Sequence, residues 1–379
     1  MVLPPACIGI LGGGQLGMML AKAAKQFGYT VAILEPQENC PAHSFCDVHI
    51  VKAYHDKAGL RELAQLACII TTEFENVPAD SIEFINQLRP VYPSASAIRV
   101  AQNRLKEKTF FRTLGLGTAD FCRIATEKEC AAVLPTFFPA ILKTTTLGYD
   151  GRGQWMVRNH EELAKAFEAL NKGECILEKR VALKEEVSMI AARNQTGIEL
   201  FPLISNQHQN GILDVSYIPA GVSENVAGEA QRAVQLILEG LDYVGILAVE
   251  FFITIEDQLL VNEIAPRPHN SGHITIEASK TSQFEQQLRA ICGLKLGNTE
   301  LVSPGAMLNL LGDVWLRETI NPEQVILHEF PTAKIHNYGK TEAKPGRKMG
   351  HVSMVGNKEE LLQFINGLKS KLTQQDPSQ

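Results

Sequence analysis

The chain has 379 residues, 45% hydrophobic and 21% charged, enough for two to four domains with ample cores. A net charge of −6 gives no basic footprint for nucleic acid, and no apolar run reaches the roughly 18 residues of a membrane span. The eight cysteines form no Cys-x-x-Cys pair, so neither a zinc site nor a disulfide framework is indicated. Reduced thiols in a cytoplasmic setting are expected, since the start MVLPPACIGILGGG lacks the basic segment of a signal peptide.

The first elements form a nucleotide-type βαβ unit. ACIGIL reads as a buried strand running into Gly12-Gly13-Gly14-Gln15-Leu16-Gly17, a match to G-x-G-x-x-G. Leu16, Met19, Leu20, Ala23, Ala24 and Phe27 follow at helical spacing, and Gly28 suits the stop. YTVAILEP is a second strand ending at Glu35, 18 residues after the motif's last glycine, where a dinucleotide fold offers an acid to a ribose. Such glycines let backbone N–H groups approach an anion at a helix N-terminus, whichever ligand carries it. An NAD-dependent dehydrogenase is therefore open, and so is a loop whose glycines serve only strand–helix packing.

ACIITTEFENVP predicts a buried strand that delivers Glu73, Glu75 and Asn76 to the carboxyl edge of a parallel sheet, the ligand-binding edge of open α/β folds. Alternatively, these acids precede a helix over residues 79–88. PVYPSASAI marks a boundary, and one long helix over residues 96–114 carries Arg104, Lys106 and Lys108. FFPAILKTTTLGYDGRGQWMV reads as strand, glycine-rich turn and strand, with Lys143 ending the first strand. No helix pattern follows, so this is not a Walker P-loop; a hairpin flap can instead offer N–H groups to a triphosphate, or the segment is a long β-turn. GECILEKRVALKEEVSMIAAR adds strands with Glu178 and Glu186 near their ends.

LAVEFFITIEDQLLVNEI predicts a hairpin whose two-residue turn is Glu256-Asp257. That turn sets Ile255 opposite Gln258 and Glu250 directly opposite Glu263 on one face. Facing like charges destabilise a sheet, a penalty that a bridging divalent cation reverses, and oxygen ligands suit Mg²⁺. One residue of slip would separate the two acids and leave a solvated hairpin. In the following PRPHNSGH, His269 and His273 have the spacing of two metal ligands on a helical turn, but Pro266 and Pro268 oppose a helix; a structural histidine is the alternative. KPGRK near the C-terminus, taken alone, is a solvated basic turn.

In this order GGGQLG, EFENVP, GYDGRGQ, EVSMIAAR, VNEIAPRPHNSGH and KPGRKMGH resemble the ATP-grasp enzymes, and within them the 5-(carboxyamino)imidazole ribonucleotide synthetase family of purine synthesis. The resemblance covers residues 8–367 and is most specific in NEIAPRPHNSGH and in PGRK with MGH. It implies an α/β fold: a Rossmann-like, parallel-sheet pre-ATP-grasp domain over residues 1–95, a two-lobed ATP-grasp domain over 96–300 with its smaller lobe over 118–182, and a small C-terminal domain with a flexible tail over 301–379. The implied activity is a ligase that joins ATP, bicarbonate and 5-aminoimidazole ribonucleotide through carboxyphosphate. A homodimer is implied, with no nucleic-acid or membrane partner.

The resemblance also assigns residues. ATP falls to Arg104 and Lys143, to the loop Gly148, Tyr149, Asp150, Gly151, Arg152, Gly153 and Gln154, to Glu178, Lys179, Arg180 and Val181, and to Glu186, His208, Asn262 and Glu263. Glu250 and Glu263 would hold Mg²⁺, two ions in all. The ribonucleotide would meet Gln15, Leu16, Glu73, Tyr149, Arg152, Asn270, Lys340, Arg347 and Lys348. Arg267 would hold bicarbonate or carboxyphosphate in a forked contact, His269 would accept the amine proton or protonate the leaving phosphate, and Asp150 would accept from the amine. The family usually has Arg and Gly where this chain has Thr146 and Leu147, which removes one cation and one flexible glycine. Other ATP-grasp ligases, such as glycinamide ribonucleotide transformylase or biotin carboxylase, are the nearest rivals; KPGRKMGH and the short length favour the imidazole enzyme. A nucleotide-binding regulatory protein without turnover would leave Lys143, the paired acids and His269 without a purpose.

Overall fold

The computed structural model describes residues 1–146, 153–317 and 321–373. The predicted flap residues Gly148, Tyr149, Asp150, Gly151 and Arg152, with Leu147, lie outside the described residues, as does the expected tail over 374–379.

Among the described residues the chain builds three sheets. The first holds β1 (Cys7–Leu11), β2 (Thr30–Leu34), β3 (Val48–Ile50), β4 (Ile69–Thr72) and β5 (Val91–Tyr92), all parallel in the order β3-β2-β1-β4-β5. Helices cover both faces. Ile8, Ile10, Val31 and Ile33 enter one core, and Leu11, Ala32, Leu34 and Ile70 the other. That two-sided burial is why these strands read as unbroken apolar runs. The second sheet is antiparallel: β6 (Phe121–Ile124), β7 (Ala140–Thr144), β8 (Gln154–Val157) and β9 (Cys175–Lys179), in the order β6-β9-β7-β8.

The third sheet, also antiparallel, carries most of the site. Its strands are β10 (Leu183–Asn194), β11 (Gly197–Leu200), β12 (Ile204–Gln209), β13 (Ile212–Ile218), β14 (Gly245–Thr254), β15 (Leu259–Ala265), β16 (Gly305–Leu311), β17 (Lys334–Asn337) and β18 (Lys348–Val355). The C-terminal strands join it edge to edge, because β16 pairs with β13. Helix Glu224–Gly240 buries Val234, Ile237 and Leu238 beneath it, against Val187, Val249 and Phe111. No described helix is long and apolar enough to cross a membrane.

Two expectations need correction. The helix over 96–114 is two helices, Ala95–Ala101 and Arg104–Thr113. Asn103 breaks it: its backbone is extended and its side chain accepts from the Lys106 N–H at 3.0 Å, starting the second helix as an N-cap. The hairpin turn is also one residue longer than predicted. Asp257 adopts φ 59°, and Thr254 N donates to Gln258 O at 2.9 Å, closing a loop over residues 255–257. Phe251 therefore faces Val261, and Ile253 faces Leu259. A bulge at Asn262 then restores the frame, so Glu250 does pair with Glu263.

Candidate active site

Helix Arg104–Thr113 places Arg104, Glu107 and Lys108 on one face, as i, i+3 and i+4 spacing requires. That face meets β15. Arg104 Nη1 lies 2.9 Å from Glu263 Oε2, Glu107 accepts the Ile264 N–H at 2.8 Å, and Lys108 Nζ reaches Asn262 Oδ1 at 3.5 Å. The second sheet contributes Lys143 from β7 and Glu178 from β9; Glu178 Oε2 is 3.0 Å from Lys143 Nζ and 3.7 Å from Lys108 Nζ. Lys108, Lys143 and Glu178 are all buried.

Burial alone would raise the Glu178 carboxyl, but the charges of Lys108 and Lys143 outweigh it and bring its pKa down to about 2. Glu107 goes the other way. Burial, reinforced by Glu263, lifts it to about 8, and burial lowers the Lys108 ammonium. Glu178 Oε1 is buried with no hydrogen-bond partner among the described residues. A buried acceptor without a donor is one that a ligand N–H or O–H can satisfy.

Across the cleft, Glu250 on β14 accepts from His269, with Nε2 to Oε1 at 3.0 Å. Burial would raise its carboxyl; the His269 hydrogen bond and the charges of His208 and Arg267 instead hold it well below the usual range. On β12, His208 Nδ1 sits 3.0 Å from Glu186 Oε2 of β10. Burial opposes a charge there, yet the Glu186 contact and the charges of Glu250 and Glu263 raise the imidazole. Arg267 follows β15 and pairs with Glu75, beyond the carboxyl end of β4 in the parallel sheet. Both side chains are largely buried; Arg267 overcomes the burial penalty on Glu75 and brings it to about 2. These contacts lie where the parallel sheet meets the large antiparallel one. Beside them, both amide atoms of Asn270 are buried without a partner among the described residues.

Models of the ribonucleotide synthetase preATP-grasp domain, the ATP-grasp domain and the phosphoribosylaminoimidazole carboxylase C-terminal domain match residues 6–102, 109–284 and 305–363. The N5-carboxyaminoimidazole ribonucleotide synthase of Bacillus subtilis is 41% identical over 380 residues, covering 100% of this chain and 98% of the relative. The chain belongs to that family. Two solved structures of it agree in fold. The Staphylococcus aureus enzyme complexed with ADP superposes with a TM-score of 0.91 at 37% identity, covering 98% of each chain. The Aspergillus clavatus enzyme in complex with ADP and 5-aminoimidazole ribonucleotide gives 0.90 at 31%, covering 97% of this chain and 98% of the other. The resemblance read from the motifs, and the α/β ATP-grasp fold it implied, are thus borne out.

Of the residues assigned from sequence to this site, Arg104, Lys143, Glu178, Glu186, His208, Glu250, Asn262, Glu263, Arg267 and His269 each take part in a contact described above. Lys179, Arg180 and Val181 form a more exposed lip after Glu178. Gly153 and Gln154 return from the flap, with Gln154 opposite Lys143. Lys340, Arg347 and Lys348 lie together, Lys340 Nζ reaching Lys348 O at 2.6 Å and Arg347 Nη1 reaching Glu342 O at 2.7 Å. His269 and His273 do not converge. The prolines delay helical structure to Ser271, and His273 is buried against Phe284 and His351 while His269 faces Glu250, so the two-ligand spacing has no metal meaning.

The N-terminal glycine loop departs furthest from its reading. Gly14 and Gly17 N–H groups donate to the buried Glu73 carboxylate at 2.5 and 2.6 Å. Gly13 N donates to Glu35 at 2.9 Å, and Glu35 also accepts from the Tyr54 hydroxyl. The loop's anion is the chain's own, and the two groups a dinucleotide would need are already engaged. Gln15 and Leu16 start the helix beside them, Leu16 buried. Sequence reasoning leaves out Glu107, names Lys108 without a partner, and puts Glu75 at a ligand-binding edge without its arginine. The spacing from Arg104 was the available signal for the first two. Nothing local marks Glu75 as the partner of an arginine 192 positions away.

Proposed function

We infer that the chain is an ATP-dependent ligase that carboxylates the exocyclic amine of 5-aminoimidazole ribonucleotide, giving N5-carboxyaminoimidazole ribonucleotide, ADP and phosphate in purine biosynthesis. The observation that carries this reading is the convergence of Glu250, Glu263, Arg267 and His269 on one cleft in a chain similar over its whole length to synthases of that name. Lys143, Lys108 and Arg104 line the phosphate end, where cations offset charge on a transferring phosphoryl group. Glu178 Oε1, without a partner among the described residues, is open to a donor from the nucleotide, and Glu186 with His208 flanks its sugar side. Glu250 and Glu263, opposed across the hairpin with Asn262 in the bulge, fit a hard cation in number and chemistry. Bound there, Mg²⁺ would supply charge neutralisation at the phosphates.

Arg267 orients bicarbonate and then carboxyphosphate, and Glu75 holds the guanidinium ready. Asn270 offers its amide to the imidazole substrate, with Gln15 and Leu16, on the loop that Glu73 clasps, on the parallel-sheet side and Lys340, Arg347 and Lys348 addressing its phosphate. Tyr149, Asp150 and Arg152 of the flap complete that pocket in this reading. A cytoplasmic homodimer is the working form. The test is ADP release with and without the ribonucleotide and bicarbonate. Release that requires both supports the reading; release that ignores the ribonucleotide would refute it.

A further inference from the structure

His269 is held from both sides. Nε2 faces Glu250 Oε1 at 3.0 Å. Nδ1 faces the Ser271 hydroxyl at 2.9 Å and the Ser271 backbone nitrogen at 3.4 Å. A backbone N–H can only donate, so Nδ1 is an acceptor. The hydroxyl points to the same answer through a longer route. Ser216 Oγ donates to Asn206 Oδ1 at 2.9 Å, Asn206 Nδ2 donates to Ser188 Oγ at 2.9 Å, and Ser188 Oγ lies 2.7 Å from Ser271 Oγ. Ser188, accepting from Asn206, can give its own proton to Ser271, and because Nδ1 accepts, the Ser271 proton is free to go to it. Ser188, Asn206, Ser216 and Ser271 are all buried, so water does not compete for these bonds. The chain crosses β13, β12 and β10 and ends beneath the ring.

We propose that Ser216, Asn206, Ser188 and Ser271 are positioning residues that fix Nδ1 of His269 as an acceptor, so that the ring presents an Nε2 proton to the reaction centre and serves it as a hydrogen-bond donor and not as a base. The catalytic half of this statement rests on the carboxylase reading above. That chemistry balances without a histidine base. Bicarbonate oxygen bonds to the γ-phosphorus of ATP as the bond to ADP breaks, and the bicarbonate proton goes to solvent water. The amine nitrogen then bonds to the carboxyl carbon as the C–O bond to phosphate breaks, and the amine proton leaves on the phosphate. A donor at Nε2 stabilises negative charge gathering on the carboxyl oxygens. A ring already protonated at Nε2 has no lone pair there to take a proton.

The test uses the full chain with ¹⁵N-labelled histidine at a pH where the ring is neutral. Long-range ¹H–¹⁵N spectra report the tautomer, with His269 assigned by its loss in His269→Gln. The wild-type ring should carry its proton on Nε2, and Ser271→Ala should give a mixture of tautomers with kcat about tenfold lower and KM for ATP unchanged. A wild-type ring protonated at Nδ1 would overturn the proposal. The kinetic arm compares His269→Gln, whose amide can donate from near the Nε2 position, with His269→Asn, whose amide falls short. Gln should exceed Asn in kcat by at least about tenfold; equal losses would overturn the donor role. If the wild-type enzyme releases no ADP with ribonucleotide and bicarbonate, the functional reading fails, while the tautomer still decides whether the serine and asparagine chain sets the ring.

Discussion

Buried glutamates occur in two regions of this molecule and are neutralised in opposite ways. Under the N-terminal glycine loop, Glu73 is held by backbone N–H groups, and burial prevails over those dipoles, raising its carboxyl. In the cleft, Glu178 and Glu75 are held by lysine and arginine side chains, and full charges prevail over burial, lowering theirs to about 2. Backbone amides cannot swing away, so the first arrangement is a structural clasp. Side-chain cations can exchange a carboxylate for a phosphate or carbonate oxygen, so the second suits the ligand site proposed above. Position at the end of an apolar strand does not distinguish the two; the identity of the donor does.

The largest test of this contrast is Glu178→Gln. It leaves Lys108 and Lys143 buried without their anion and should destabilise the ligand-free protein by about 3–5 kcal/mol, the range for breaking one partner of a buried pair. Urea unfolding measures it, and ATP should recover part of the loss by placing phosphates beside the lysines. A variant as stable as the parent would show that the cleft cations need no internal counter-ion. Next, Glu263→Gln removes a charged oxygen from the cation position while keeping shape. Turnover should fall at least about a hundredfold at saturating Mg²⁺, with little change in melting temperature. Unchanged turnover would place the metal elsewhere.

A smaller effect tests the clasp. A Cβ on Gly14 would lie 2.5 Å from Glu73 Oε1, so Gly14→Ala must push the two apart. Stability should drop by about 1–3 kcal/mol, the usual range for overpacking, with ATP affinity by calorimetry unchanged. Saturable NADH binding abolished by this substitution would instead revive a dinucleotide role for the loop.

The last test is the sign of the pH dependence. The folded Glu73 carboxyl is raised above its ordinary 4.5, so it favours folding at low pH and its contribution is lost as pH rises above 4.5 through the folded value. The folded Glu178 carboxyl is depressed to about 2, so its contribution is complete above 4.5 and lost as pH falls towards 2. Glu73→Gln should therefore flatten a decline of stability with rising pH, and Glu178→Gln should flatten a rise. Neither change should exceed about 1.4 kcal/mol per pH unit. Slopes of the same sign would break the comparison.

The sequence by itself determined the parallel sheet, the ATP-grasp family and the opposed acids, because each rests on local signals: two-sided apolar runs, glycine punctuation, alternation around a turn. The Glu250 and Glu263 pairing was legible although the turn was misread. The longer loop shifts the register by one residue and the Asn262 bulge shifts it back, two departures that cancel at the Glu250–Glu263 pair. Asn103 could be recognised as a cap only once its side chain was seen to accept from Lys106, since an Asn inside a helical pattern reads equally as a tolerated residue. Only the tertiary structure decided what each carboxylate meets. Glu35 and Glu73 sit where a ligand was expected but are claimed by amides of a distant loop; Glu75 finds Arg267, and His269 finds both Glu250 and a hydroxyl chain drawn from three strands. Local spacing fixes which face a residue occupies, but the charge and proton it carries depend on partners that only the folded chain brings within hydrogen-bond reach.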